Sequence, residues 1–96
     1  LFEIFYHPEV ISEDLRHINR DLLKRIKTAI ENRLRRAPGD YGKPLRAELK
    51  SLWSLRVGDY RILYLIEDKN VIIIQVVHRK DAYQEGIAEA RRRGLV

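Results

Sequence analysis

Ninety-six residues are enough for one domain with one modest core and too few for two. With 45% hydrophobic and 34% charged residues the composition is that of an ordinary soluble globular protein, and no apolar run approaches a membrane span. The absence of cysteine excludes a disulfide framework and thiol chemistry, and 19 Lys and Arg against 14 Asp and Glu, a net charge of +5, favour an acidic or polyanionic partner.

Taken in chain order, Phe2 to His7 alternates apolar and polar residues and predicts a short strand, which Pro8 stops. Pro8 can open a helix in which Ile11, Leu15 and Ile18 share a face. Asn19 is placed to cap a second, longer helix. Its stripe of Leu22, Leu23, Ile26, Ala29, Ile30, Arg33 and Leu34 follows the helical period, while Arg20, Lys24, Lys27, Glu31 and Arg35 fall opposite. The two helices predict an antiparallel hairpin. The segment from Pro38 to Pro44 breaks the periodicity. Strands are then expected at Leu45–Lys50, Leu52–Val57, Tyr60–Glu67 and Val71–Arg79. From Asp81 the pattern returns to helix, with Tyr83, Ile87 and Ala90 in one stripe and Arg91 to Arg93 near its end. This order predicts an α+β domain over residues 1–96, with a mostly antiparallel, four- to five-stranded twisted sheet backed by a helix pair.

The stretch LWSLRVGDYR carries the functional signal. A two-residue turn at Gly58 and Asp59, of type II′, places Val57 opposite Tyr60 and therefore Arg56 opposite Arg61. Like charges opposed on a sheet repel, and a bound anion such as phosphate would compensate them. For the next hairpin we expect Asp68, Lys69 and Asn70 to be looped out, with Asn70 left-handed, which sets Arg61 opposite Val77 and Arg79 on the Arg61 face. That face would display Lys50, Leu52, Ser54, Arg56, Arg61, Leu63, Leu65, Gln75, Val77 and Arg79: arginines at one end and an apolar shelf at the other. Trp53, Tyr60 and Tyr64 fall on the opposite, core-forming face. His7, His17 and His78 are scattered and no carboxylate pair accompanies them at ligand spacing, so no metal is expected.

The residues LRVGDYRILY and VVHRKDAY, with KPLRAEL upstream, resemble the RelE/ParE superfamily of bacterial and archaeal toxins from type II toxin-antitoxin pairs, the RelE (mRNA interferase) type above all. The resemblance implies a cytoplasmic, ribosome-dependent endoribonuclease that blocks translation through attack of the mRNA 2′-hydroxyl on the adjacent phosphate. It implies no cofactor. It also implies neutralisation by a cognate RelB-like antitoxin, with operator DNA contacted only through the antitoxin complex. By position, the family's arginine in the DYR motif matches Arg61, its later basic residue matches Arg79 and its tyrosine near the C-terminus matches Tyr83, the three expected catalytic residues. The lysines of the RelE pattern are replaced by Leu52 and Ser54, leaving Lys50, Arg56 and Ser54 as the expected RNA-binding groups. The replacement keeps two alternatives open: a ParE-like inhibitor of DNA gyrase, and a degenerate toxin retaining antitoxin binding and operon control alone.

Overall fold

The computed structural model describes residues 1–44, 52–79 and 84–94. Strand β1, Glu3–Tyr6, is followed by helical turns at Val10–Asp14 and Leu15–His17. Helix α1, Arg20–Ala29, continues in wider winding through Ile30–Leu34, and a short turn of helix, α2, covers Pro38–Tyr41. Strands β2 (Lys43–Pro44), β3 (Leu52–Val57), β4 (Tyr60–Glu67) and β5 (Asn70–His78) lead to helix α3, Gln84–Arg92. The five strands form one sheet in the order β1-β5-β4-β3-β2, antiparallel except for the parallel β1–β5 pair. The expected α+β architecture is the one observed.

Apolar residues on one face of the sheet meet the helices. Leu55, Val57, Ile62, Tyr64, Val71, Ile73 and Val76 pack with Ile26, Ile30 and Leu34 in the main core. Asn19 caps α1 as its side chain suggested, its Oδ1 accepting the N–H of Leu22 at 2.9 Å. The first helical segment departs from expectation. The N–H of Leu15 bonds the carbonyl of Val10, five residues back, so the turn is wider than an α-turn and the buried face rotates. Val10 is consequently fully buried and Ile11 is exposed.

Both hairpins joining β3, β4 and β5 have two-residue turns. At the first, Gly58 has φ +59 and the pairs Val57↔Tyr60 and Arg56↔Arg61 form as expected. At the second, Glu67 pairs with Asn70, and Asp68, not Asn70, takes the left-handed conformation at φ 54. The expected three-residue loop is therefore corrected. An extra residue in β5 restores the register: the ladder shifts between Leu63 and Tyr64, which pair with Gln75 and Ile73. Arg61 thus still lies opposite Val77. The expected strand at Leu45–Lys50 lies outside the described residues; among the described residues the strand beside β3 at the edge of the sheet is β2, paired at Lys43↔Ser54 and Pro44↔Trp53.

Candidate functional site

Alternation along β3, β4 and β5 sets two rows of side chains across the sheet face opposite the main core. One row is Ser54, Leu63 and Gln75; the next is Arg56, Arg61 and Val77. Arg61 is half-buried, and its Nη1 donates to the Ser54 hydroxyl at 3.3 Å. Among the described residues no carboxylate lies within ion-pair distance of it. A guanidinium in this setting keeps donors in hand for an incoming oxyanion, in surroundings less polar than water.

Arg56, opposite Arg61 on the ladder, has an acceptor of its own. Its Nε donates to the carbonyl of Gly58 at 3.2 Å, so the two guanidiniums are tied to different neutral acceptors. Arg56 also lines a groove between the outer edge of β3 and α1. Arg79 follows the end of β5, where its N–H bonds the carbonyl of Asp59 at 2.7 Å and its Nε lies 3.6 Å from the Asp59 carboxylate. Both side chains are more than half exposed, so this contact holds Arg79 weakly. Lys50 and Tyr83 lie outside the described residues.

The apolar shelf expected beside the arginines is closed. Leu52, Leu63, Leu65 and Ile74 are buried with Ala90 of α3, and Ile72 and Val77 pack against them. Leu52, at a position where the RelE pattern has lysine, is fully buried and contributes packing. Ser54, at the other such position, is buried at 4% exposure and holds Arg61. Between shelf and arginines lies Gln75, buried at 6% exposure, whose Oε1 has no hydrogen-bond partner among the described residues.

The groups that pin α3 carry no signal in the sequence. Arg93 was one of three arginines expected at a helix end, yet its side chain is 2% exposed and pairs with Asp14, Glu9 and Glu89. Burial opposes its charge, but hydrogen bonding to Asp14 and the nearby carboxylates outweigh that and raise its pKa. Arg92 bonds Glu9 and Glu89, and those hydrogen bonds hold both carboxyls below the usual range. Among the described residues no group of three or more His, Cys, Asp or Glu could hold a metal ion, and no helix is long and apolar enough to cross a membrane.

Residues 4–83 match the family model of the ParE toxin of the type II toxin-antitoxin system parDE. The chain belongs to this toxin family. Toxin RelG of Mycobacterium tuberculosis is 49% identical over 53 residues, and that match covers 53% of the chain and 61% of RelG. The chain thus spans about three-fifths of that curated relative. The toxin-antitoxin complex RelBE2 of the same organism has a chain 34% identical, with a TM-score of 0.75 over 81% of this chain and 98% of that one. The RelB-RelE antitoxin-toxin complex of Methanococcus jannaschii includes one 26% identical, with a TM-score of 0.68 over 83% and 95%. The RelE-like fold expected from the sequence is therefore the fold of this toxin, and both of these structures are of complexes with an antitoxin.

Proposed function

We propose that this toxin cleaves mRNA on the ribosome, with Arg61 stabilising the charge that develops on the scissile phosphate. The 2′-hydroxyl oxygen bonds to phosphorus as its proton leaves to a base. The bond to the 5′-oxygen then breaks, that oxygen takes a proton, and a 2′,3′-cyclic phosphate remains on the upstream fragment. The observation that carries the proposal is Arg61 itself: half-buried, held by the Ser54 hydroxyl, and without a carboxylate partner among the described residues. Arg79 is the second charge-stabilising group, since a surface contact such as that with Asp59 yields readily to a phosphate. Tyr83 is assigned to base stacking or proton transfer, and Lys50, Ser54 and Arg56 to holding the strand. The partners in this reading are a RelB-like antitoxin, the ribosome and mRNA, in the cytoplasm. The test is end analysis of mRNA from programmed ribosomes: cyclic phosphate ends, unaffected by chelator, are expected, and linear 3′-hydroxyl ends would overturn the mechanism.

A second reading has its own support. The matching family model is that of ParE, and Leu52 is buried apolar packing where the RelE pattern has lysine. A ParE-like toxin would inhibit DNA gyrase by binding it, without RNA chemistry. Inhibition of gyrase supercoiling together with intact mRNA on ribosomes would select this reading over the first.

A further inference from the structure

Gln75 is a polar side chain buried at the border of an apolar cluster. The ladder between β4 and β5 shifts beside it, so Ile74 and Gln75 together oppose Leu63, and this bulge turns both toward the face that carries Arg61. The Oε1 of Gln75 has no hydrogen-bond partner among the described residues. A buried acceptor left unpaired destabilises the fold, and a leucine would fill the same space without that cost. Beside Gln75 opens a hollow of about 360 Å³, lined among the described residues by Gln75 itself and by Ala88, Glu89 and Arg92 of α3. An unpaired amide brought by a bulge to the rim of a hollow marks a place where a ligand completes the bonding.

We infer that this hollow receives a guanine base of single-stranded RNA, read on its Watson–Crick edge, and that Gln75 thereby selects the linkage to be cut. Two acceptors face the space, the Gln75 Oε1 and the Glu89 carboxylate, and rotation about the last side-chain bond brings the Gln75 oxygen to bear. The bonds of Arg92 to Glu89 and Glu9 use its Nε and Nη2, which leaves Nη1 to donate. Of the four RNA bases only guanine presents two adjacent donor groups, N1–H and the N2 amino group, beside an acceptor, O6. The Glu89 carboxylate also makes the hollow a poor seat for phosphate, which belongs at Arg61. Ser54, which holds Arg61, shares a row with Gln75 two strands away, roughly 10 Å, and buried Leu63 forms an apolar floor between them. One nucleotide spans that gap from its phosphate to the edge of its base. The base site rests on the groups around Gln75, and its part in choosing the cut rests on the nuclease reading.

The test titrates the whole isotope-labelled protein with GMP, AMP, CMP and UMP and follows by NMR the side-chain amide signal of Gln75, the one lost in Gln75→Leu. Saturable movement is expected with GMP, on the order of tenfold tighter than with UMP. Gln75→Leu, followed through the backbone signals of α3, should bind GMP on the order of tenfold more weakly. Should the leucine impair folding, Ala88→Leu, at an exposed helix position lining the hollow, fills the same space and should weaken GMP in the same way. On programmed ribosomes, mRNA should be cut preferentially beside guanine, and Gln75→Leu should reduce that preference on the order of tenfold. No movement with any nucleotide, equal response to all four, or unchanged GMP affinity in both variants would overturn the inference, ordered water then being the partner of the amide. Guanine-dependent movement with uncut mRNA would keep the base site and strike the nuclease reading. Cutting indifferent to the neighbouring base would keep the nuclease reading and strike the inference.

Discussion

Arg93 grips Asp14 with two hydrogen bonds, Nη2 to Oδ1 at 2.9 Å and Nη1 to Oδ2 at 3.1 Å, across 79 positions of the chain. The pair does more than neutralise two charges. The last β1 pairing with β5 is Tyr6↔Ile73, and beyond it the edge of β5 has no strand neighbour on that side among the described residues. There Asp14 Oδ2 accepts the N–H of Val76 and Arg93 Nη1 donates to the carbonyl of Ile74. One ion pair thus completes the ladder that the short β1 leaves unfinished, and fastens α3 over the second apolar cluster.

Arg93→Ala is expected to destabilise the protein by about 3–5 kcal/mol, because it strands a largely buried carboxylate and the carbonyl of Ile74 together. Arg93→Lys, which keeps charge but not the fork, should fall between. Urea midpoints measure both, and a loss under about 1 kcal/mol for the alanine variant would show that the network is dispensable.

Acid should loosen this region and the helical segment that carries Glu31. Hydrogen bonds from Arg92 depress the pKa of Glu9 and Glu89, and the two from Arg35 depress that of Glu31. The unfolded chain takes up these protons near the ordinary carboxyl pKa of about 4.3, the folded chain at lower pH. The stability they add is therefore present above about pH 4.3 and is lost as pH falls through the folded values. Urea midpoints taken down to about pH 3 should decline, and Arg92→Ala should flatten the decline. An unchanged slope in that variant would contradict the assignment.

Tyr64 is fully buried, burial pushes its phenol up, and its hydroxyl donates to the carbonyl of Pro38 at 2.6 Å. Tyr64→Phe leaves that carbonyl without this donor and should cost about 1–3 kcal/mol. Gly42→Ala should also destabilise, since its Cβ would fall 1.7 Å from the Tyr64 hydroxyl oxygen. Removing that oxygen relieves part of the clash, so Gly42→Ala should cost less when combined with Tyr64→Phe. Thermal melts of the double-mutant cycle check the sign, and simple additivity would contradict it.

Ser54→Ala removes the hydroxyl that holds Arg61 while changing little volume on a buried face. Cleavage should slow by roughly ten- to a hundredfold through lost positioning, with stability lowered by about 1 kcal/mol. Single-turnover rates on programmed ribosomes check this, and an unaltered rate would show that Ser54 does not position the arginine.

What the sequence revealed was local. The Gly58 and Asp59 turn fixed the pairing of Arg56 with Arg61, and alternation outward from it assigned Ser54, Leu63, Gln75 and Val77 to one face. The second turn was misread because Asn70 and Asp68 both tolerate the left-handed conformation, and the choice lies with the tertiary pairing. The bulge in β5 then cancelled that error by supplying an extra residue of its own within a run of β-branched side chains that carries no mark of it. Long-range contacts left no local trace. Nothing in Arg91 to Arg93 distinguishes the arginine that is buried against Asp14 from those that are exposed. Likewise Arg25 and Arg33 belong to a periodic helix, and their convergence with Arg56 on one groove depends on how that helix crosses β3.

The central claim, that Arg61 stabilises a phosphate during mRNA cleavage, is tested most directly by mapping mRNA ends on programmed ribosomes with the wild type and Arg61→Ala. The account predicts codon-aligned cuts by the wild type and a loss of roughly a hundred- to a thousandfold in rate for the variant, with its fold intact. Intact mRNA with the wild type, or equal cutting by the variant, would contradict it.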